Sequence, residues 1–163
     1  MKTRFLLLLL LVAAVAFAVG NTTSGKRAKL SSQTQQNLST AMHGEAFAFV
    51  KYSLYADQAR HNGKPDLANL FDEAAKTERF DHFEREARLA GLIGSDAENL
   101  KNAIQGESYE VETMYLDFEK EAAAAGDVVT ADRFQEIRRD EVKHRDAFKA
   151  ALTKLQGQTA QKR

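Results

Sequence analysis

Cysteine is absent from the 163 residues. Its absence removes disulfides, thiolate nucleophiles, iron–sulfur clusters and rubredoxin-type iron sites from consideration. Proline occurs once, at Pro65, and long runs of β-branched residues are missing, so little interrupts helices and little favours a sheet. Net charge is missing too: 23 Lys and Arg balance 23 Asp and Glu, which leaves no footprint for nucleic acid or an acidic membrane surface. Long apolar runs reduce to one, the fifteen residues Phe5 to Val19, short of the roughly 20 that a membrane span needs. Hydrophobic residues still make up 44% of the chain, enough for the core of one domain.

Lys2 and Arg4 precede that apolar run and Ala16-Phe17-Ala18 closes it, the layout of an export signal cleaved after residue 18. The alternative is an uncleaved membrane anchor over residues 5–19, with the basic Lys26, Arg27 and Lys29 just beyond it. Residues 19–31 are polar and basic without an apolar period, and so predict a flexible tether. Asn21-Thr22-Thr23 and Asn37-Leu38-Ser39 match the glycosylation pattern without deciding compartment. The expectation is an exported, periplasmic or secreted protein.

Four helical segments follow. The first begins near Ser32, spaced from Gln35 as in a capping box, and stops at Asn62-Gly63. The second starts with Pro65 in its first turn and runs to about Ala90 before Gly91. The third opens on Ser95-Asp96-Ala97-Glu98, another capping box, and ends at Gly126. The fourth takes Asp127 as cap and fades after Leu155 into a charged, Gln-rich tail, disordered over 157–163. Segments of about 25 to 30 residues exceed the usual globular helix and suit a four-helix bundle spanning residues 32–156.

The two halves repeat. Asn37, Leu38, Ala41, Gly44 and Glu45 match Asn99, Leu100, Ala103, Gly106 and Glu107 at an offset of 62, whereas Tyr52, Gly63, Ala68, Phe71, Glu73 and Glu78 match Tyr115, Gly126, Ala131, Phe134, Glu136 and Glu141 at 63. The chain is thus a duplicated helical hairpin. The extra residue between Glu107 and Tyr115 must be absorbed without rotating the rest of the helix face, which predicts a π-bulge there.

The same register puts one carboxylate on the apolar stripe of every helix: Glu45, Glu78, Glu107 and Glu141, with Glu110 in addition. Glu141 and His144 lie three residues apart on the stripe of Phe134, Ile137, Phe148, Leu152 and Leu155, so they share a face. Four to six inward carboxylates cannot all ionise in a dry core, because like charges raise each other's pKa. Two metal ions would compensate them, and oxygen-rich ligands with one or two imidazoles suit iron or manganese better than zinc. His43 and His61 read as surface or packing residues. Phe47, Phe49, Phe71, Phe80, Phe83, Phe134 and Phe148 read mostly as core, and the runs Glu84-Arg85-Glu86 and Arg138-Arg139-Asp140 as solvated faces.

Met42-His43-Gly44-Glu45 with Tyr52, Glu78, Gly106-Glu107-Ser108-Tyr109-Glu110-Val111-Glu112 with Met114-Tyr115, and Glu141-x-x-His144 together resemble the rubrerythrin-type di-iron proteins of the ferritin-like superfamily, over about residues 36–155. Gly-Glu-x-Tyr-Glu is the specific part, separating rubrerythrins from ordinary ferritins. The resemblance implies Glu45 and Glu107 as terminal carboxylates, Glu78 and Glu141 as bridging ones, and Glu110 and His144 as further ligands. It places Tyr52 and Tyr115 behind them, hydrogen-bonding to carboxylates. It implies two iron ions per site, with manganese as the alternative, and reduction of hydrogen peroxide to water as the activity. A ferroxidase that handles iron, and a metal-binding scaffold without turnover, are the competing readings.

Three features depart from the family pattern. In Glu78-Arg79-Phe80-Asp81-His82, register favours Asp81 as the counterpart of His144 and chemistry favours His82. The rubredoxin domain of longer relatives is missing, so electrons must come from an external donor. The leader differs from mostly cytoplasmic relatives. The connector is also informative: in the family's bundle the second and third helices run parallel, a return of roughly 30 Å, while Gly91 to Gly94 spans at most ~14 Å. Either one chain closes in up-down-up-down order, or two chains exchange hairpins. Short-connector relatives do the latter, which predicts a swapped homodimer with each site built from both chains.

Overall fold

The computed structural model describes residues 29–161. The expected signal and most of the tether lie outside them. Every element among the described residues is helical, in four long rods. The first is α1, Ser32–His61. The second is α2, Pro65–Thr77, continued through a π-helical turn, Glu78–Phe83, into α3, Glu84–Ala90. The third is α4, Asp96–Tyr109, with a π-turn at Glu110–Met114 leading into α5, Tyr115–Ala125. The fourth is α6, Val128–Gln161. This is the all-α architecture of a ferritin-like bundle, laid out as two hairpins.

The ends of the rods follow local chemistry. Ser95 and Glu98 form the complete capping box, Glu98 Oε2 accepting from the Ser95 amide at 2.8 Å. At α1 the cap is Ser31, one residue before the expected Ser32, its Oγ accepting from the Thr34 amide, while the Gln35 side chain donates to the Leu30 carbonyl. Gly63 and Gly126 close equivalent hairpin turns at φ 68° and 86°, a left-handed conformation that only glycine adopts without strain. In both turns the following amide bonds back to the alanine five positions earlier, Lys64 to Ala59 and Asp127 to Ala122, a Schellman closure. The fourth rod does not fade after Leu155; it continues to Gln161, as its Gln, Ala and Lys content favours.

Within each hairpin the rods approach closely through small side chains. Ala56, Ala59, Ala68 and Ala75 are buried in the first, and Ala122 and Ala131 in the second. The repeat extends to ring packing. Tyr52, Tyr55 and Phe71 form a cluster with centroids 5.4 to 6.3 Å apart, and Tyr115, Phe118 and Phe134 form its counterpart at 5.5 to 6.2 Å.

Between the hairpins there is nothing comparable. Among the described residues no element of α1 to α3 packs against any element of α4 to α6, and no large side chain is fully buried. Phe49, Phe71, Phe83, Phe134 and Phe148 are only half-buried, and Phe47 and Phe80, expected in the core, stand exposed. One chain by itself therefore makes two half-bundles with open inner faces.

The capping box gives a direct test of the helix starts. Ser95→Ala should cost about 1 kcal/mol in a urea titration. Bonding to Ser95 holds the Glu98 carboxyl below its ordinary range. That contribution is present above the unfolded carboxylate pKa and lost as pH falls through the folded one, so the difference between Ser95→Ala and the parent should shrink in acid.

Candidate metal centre

Two trios of metal-ligating side chains emerge, one per hairpin. In the first, Glu45 on α1, and Glu78 and His82 on the π-turn, offer ligand atoms within 4.8 Å of one another; in the second, Glu107 on α4, and Glu141 and His144 on α6, do the same. His82 Nδ1 lies 2.8 Å from Glu78 Oε2 and 3.8 Å from Glu45 Oε2, and His144 Nδ1 lies 2.7 Å from Glu141 Oε2 and 3.9 Å from Glu107 Oε2. The duplicated sequence has thus folded into duplicated geometry.

One difference explains how the first trio forms. Glu141 and His144 are three residues apart on an α-helix, whereas Glu78 and His82 are four apart on a π-turn. An i→i+5 ladder takes one additional residue into the turn, which returns His82 to the face where an α-helix would have put Asp81. Asp81 instead points its carboxylate at Arg85, with Oδ1 2.5 Å from Nε. The expected π-turn near Glu110 is present, with Glu110 as its first residue. The one at Glu78 was not anticipated, although the four-residue Glu–His spacing against three in the repeat was a readable sign of it.

The electrostatics are those of crowded acids. A hydrogen bond shared with Glu78 is the largest influence raising the Glu45 carboxyl above its ordinary range, followed by burial. Glu107 is raised first by burial and then by its hydrogen bond with Glu141, and its Oε2 is buried without a partner. Glu110 sits beside the second trio without joining it, raised by burial and by the charge of Glu141. His82 is raised by its bond to Glu78. Each trio thus combines two close carboxyl groups and an imidazole, with an unpartnered acceptor at Glu107 in the second, a donor set that fits a hard or borderline divalent metal.

Tyr52 and Tyr115 engage through their rings rather than their hydroxyls; among the described residues neither hydroxyl donates to a carboxylate. Burial and the charges of Glu110, Glu141 and Glu107 push the Tyr115 hydroxyl up, which places it near the second trio. His43 bonds its own helix, Nδ1 2.6 Å from the Ser39 carbonyl, and His61 is exposed in the last turn of α1. Two residues read as solvated are half-buried instead, and Glu86 Oε2 and Arg138 Nε are covered without hydrogen-bond partners. Both sit where the repeat pattern is broken, so a surface charge run hid them.

Comparison with known proteins agrees with this geometry. The family model described as Rubrerythrin matches residues 36–152. A rubrerythrin from Porphyromonas gingivalis is 32% identical over 137 residues, covering 77% of this chain and 68% of that protein. A putative rubrerythrin from Methanocaldococcus jannaschii is 29% identical over 152 residues, covering 80% and 74%, and one from Nitratidesulfovibrio vulgaris is 29% identical over 130 residues, covering 72% and 68%. With the helical hairpins, two trios of matching residue types and these relatives in hand, the chain belongs to the rubrerythrin family.

Proposed function

We propose that the two trios are complementary halves of one di-iron centre, closed when two chains exchange hairpins, and that this centre reduces hydrogen peroxide to water. The observation that carries the reading is the division of the ligands: each hairpin holds one trio, and the hairpins of a chain do not pack on each other. Pairing the first hairpin of one copy with the second of another covers both open faces and brings the trios together. The connector cannot reach back to achieve this within one chain.

In this reading Glu45, Glu78 and His82 of one hairpin and Glu107, Glu141 and His144 of the other would hold the two metal ions, Glu45 and Glu107 serving one ion each and Glu78 and Glu141 shared between them. Glu110 supplies a further oxygen on the second side. Asp81 is assigned to Arg85 and not to the metal. The raised Glu45 and Glu107 carboxyls would give up their protons on metal binding, since ligating carboxylates must be ionised. Two iron ions held there would supply the redox chemistry, the two electrons that, with two protons, convert hydrogen peroxide to two waters. Tyr52 and Tyr115, with the aromatic residues beside them, wall the site against bulk water. Manganese is the alternative metal for the same oxygen-rich shell.

In this reading electrons come from an external donor, and these 163 residues include no cysteine that could form a rubredoxin centre. Export through the leader would place metal loading and donor outside the cytosol. No helix of the described residues is long and apolar enough to cross a membrane.

Anaerobic stopped-flow on the diferrous protein tests the activity: oxidation much faster with peroxide than with oxygen is expected, and the reverse order would make the protein a ferroxidase. Metal titration tests the ligand assignment. His82→Ala should lose one of the two irons per site while Asp81→Ala keeps both; the opposite pattern restores Asp81 as ligand. Light scattering of the loaded protein should give a dimer, and a fully loaded monomer would contradict hairpin exchange.

A further inference from the structure

Glu86 and Arg138 are a half-buried acid and a half-buried base on separate hairpins, each with one covered polar atom left without a hydrogen-bond partner. Glu86 continues the row of Glu78 and His82, four residues past His82 on α3, and its Oε2 accepts no hydrogen bond. Arg138 precedes Glu141 by three residues on α6. Its guanidinium is 3.4 Å from Glu119 Oε2, and Gln135 donates to Glu119 Oε1 at 3.0 Å, but Arg138 Nε and Glu119 Oε2 have no hydrogen-bond partner. Polar atoms covered from solvent rarely stay without a partner in a folded state, because they lose their bonds to water without a replacement.

The repeat says what should meet them. At its offset of 63 Glu119 and Arg138 correspond to Ala56 and Ala75, both fully or nearly fully buried. The second hairpin thus carries an ion pair where the first has two alanines, and the pair is not a product of the duplication.

In the exchanged bundle, superposing Glu45 on Glu107 and Glu78 on Glu141 by a pseudo-twofold sets α2–α3 of one copy beside α6 of the other, running antiparallel. Glu86 then lies about 12 Å along the axis from the centre. Arg138 lies on the same side at about 4.5 Å by its backbone, and its long side chain leans toward the helix N-terminus, which is away from the centre. Glu86 leans back toward the centre by the same rule. The two heads arrive at the same height.

The geometry points to an inter-chain cluster in which the Glu86 carboxylate accepts from Arg138 of the second copy, completing the Arg138–Glu119 pair beside each metal centre. This rests on the hairpin exchange proposed above and names the residues that fix its register. The cluster acts as a latch: it joins the copies on one side of each centre, independently of the metal ligands, and the alanines at the equivalent place on the other side leave it one-sided. Because a slipped register would leave Glu86 Oε2 and Arg138 Nε covered and without partners, the contact selects one alignment of the two copies.

The cysteine-free sequence makes the contact accessible to thiol chemistry. Glu86→Cys and Arg138→Cys, co-expressed on separate chains, loaded with iron and treated with a short bis-maleimide, should give a covalent dimer on a denaturing gel, and neither variant alone should. An intact dimer by light scattering with no covalent product from the mixture overturns the Glu86–Arg138 contact and leaves hairpin exchange standing. A bridge formed inside one chain carrying both substitutions overturns contact and exchange together. A double-mutant cycle on dimer dissociation provides a second reading: Glu86→Gln and Arg138→Gln should each weaken the dimer about tenfold with non-additive effects, and additive effects would mean that the two side chains do not meet.

Discussion

Repulsion between carboxylates is the interaction on which the rest of this structure depends. Helices with one glutamate at mid-length on the inner face pack into a hairpin only if the two acids share a proton or a cation. In each hairpin the acids do meet, Glu45 with Glu78 and Glu107 with Glu141, and the hydrogen bonds between them help to raise the Glu45 and Glu107 carboxyls above their ordinary range. Bringing the hairpins together would place four such groups, and Glu110, in one core. That arrangement is unfavourable for the bare protein and favourable once cations occupy it, so metal affinity and assembly become linked quantities.

Around that constraint the two hairpins use different local devices to reach one geometry. The second keeps Glu141 and His144 on a regular α-helix and absorbs its additional residue beside Glu110. The first keeps α1 regular and places the additional residue between Glu78 and Phe83, turning His82 inward. A π-turn in a helix costs some hydrogen-bond quality, and it persists where tertiary structure or function makes use of the rotation. Both turns here lie at acids of the centre.

Much of this was legible in the sequence because helix periodicity and duplication leave marks that need no tertiary context. Gly63 and Gly126, Tyr52 and Tyr115, and the glutamates in register fixed the rods, the hairpins and four acids of the site. The jump in offset after Glu107 located one π-turn. The choice between Asp81 and His82 did not resolve, because an α-helix puts both near the face and only the actual turn geometry separates them. Glu86 and Arg138 were obscured for a different reason: long charged side chains next to other charges have no periodic signature, and whether they are buried depends on what packs over them. The length of α6 was underestimated because its polar end lacks an apolar stripe, although its residues are good helix formers.

Hairpin exchange means that neither chain alone holds a complete centre, which complementation between two inactive variants probes without any structural readout. One variant carries Glu45→Gln and Glu78→Gln, which disables the first hairpin's trio; another carries Glu107→Gln and Glu141→Gln, which disables the second. Each alone should fail to bind iron as a pair. Co-expressed, they should form mixed dimers in which one centre has all its native ligands, and paired-iron absorption should reappear in the mixture. If the mixture stays as empty as its parents while mixed dimers are present, each centre is built within a single chain and the account is wrong.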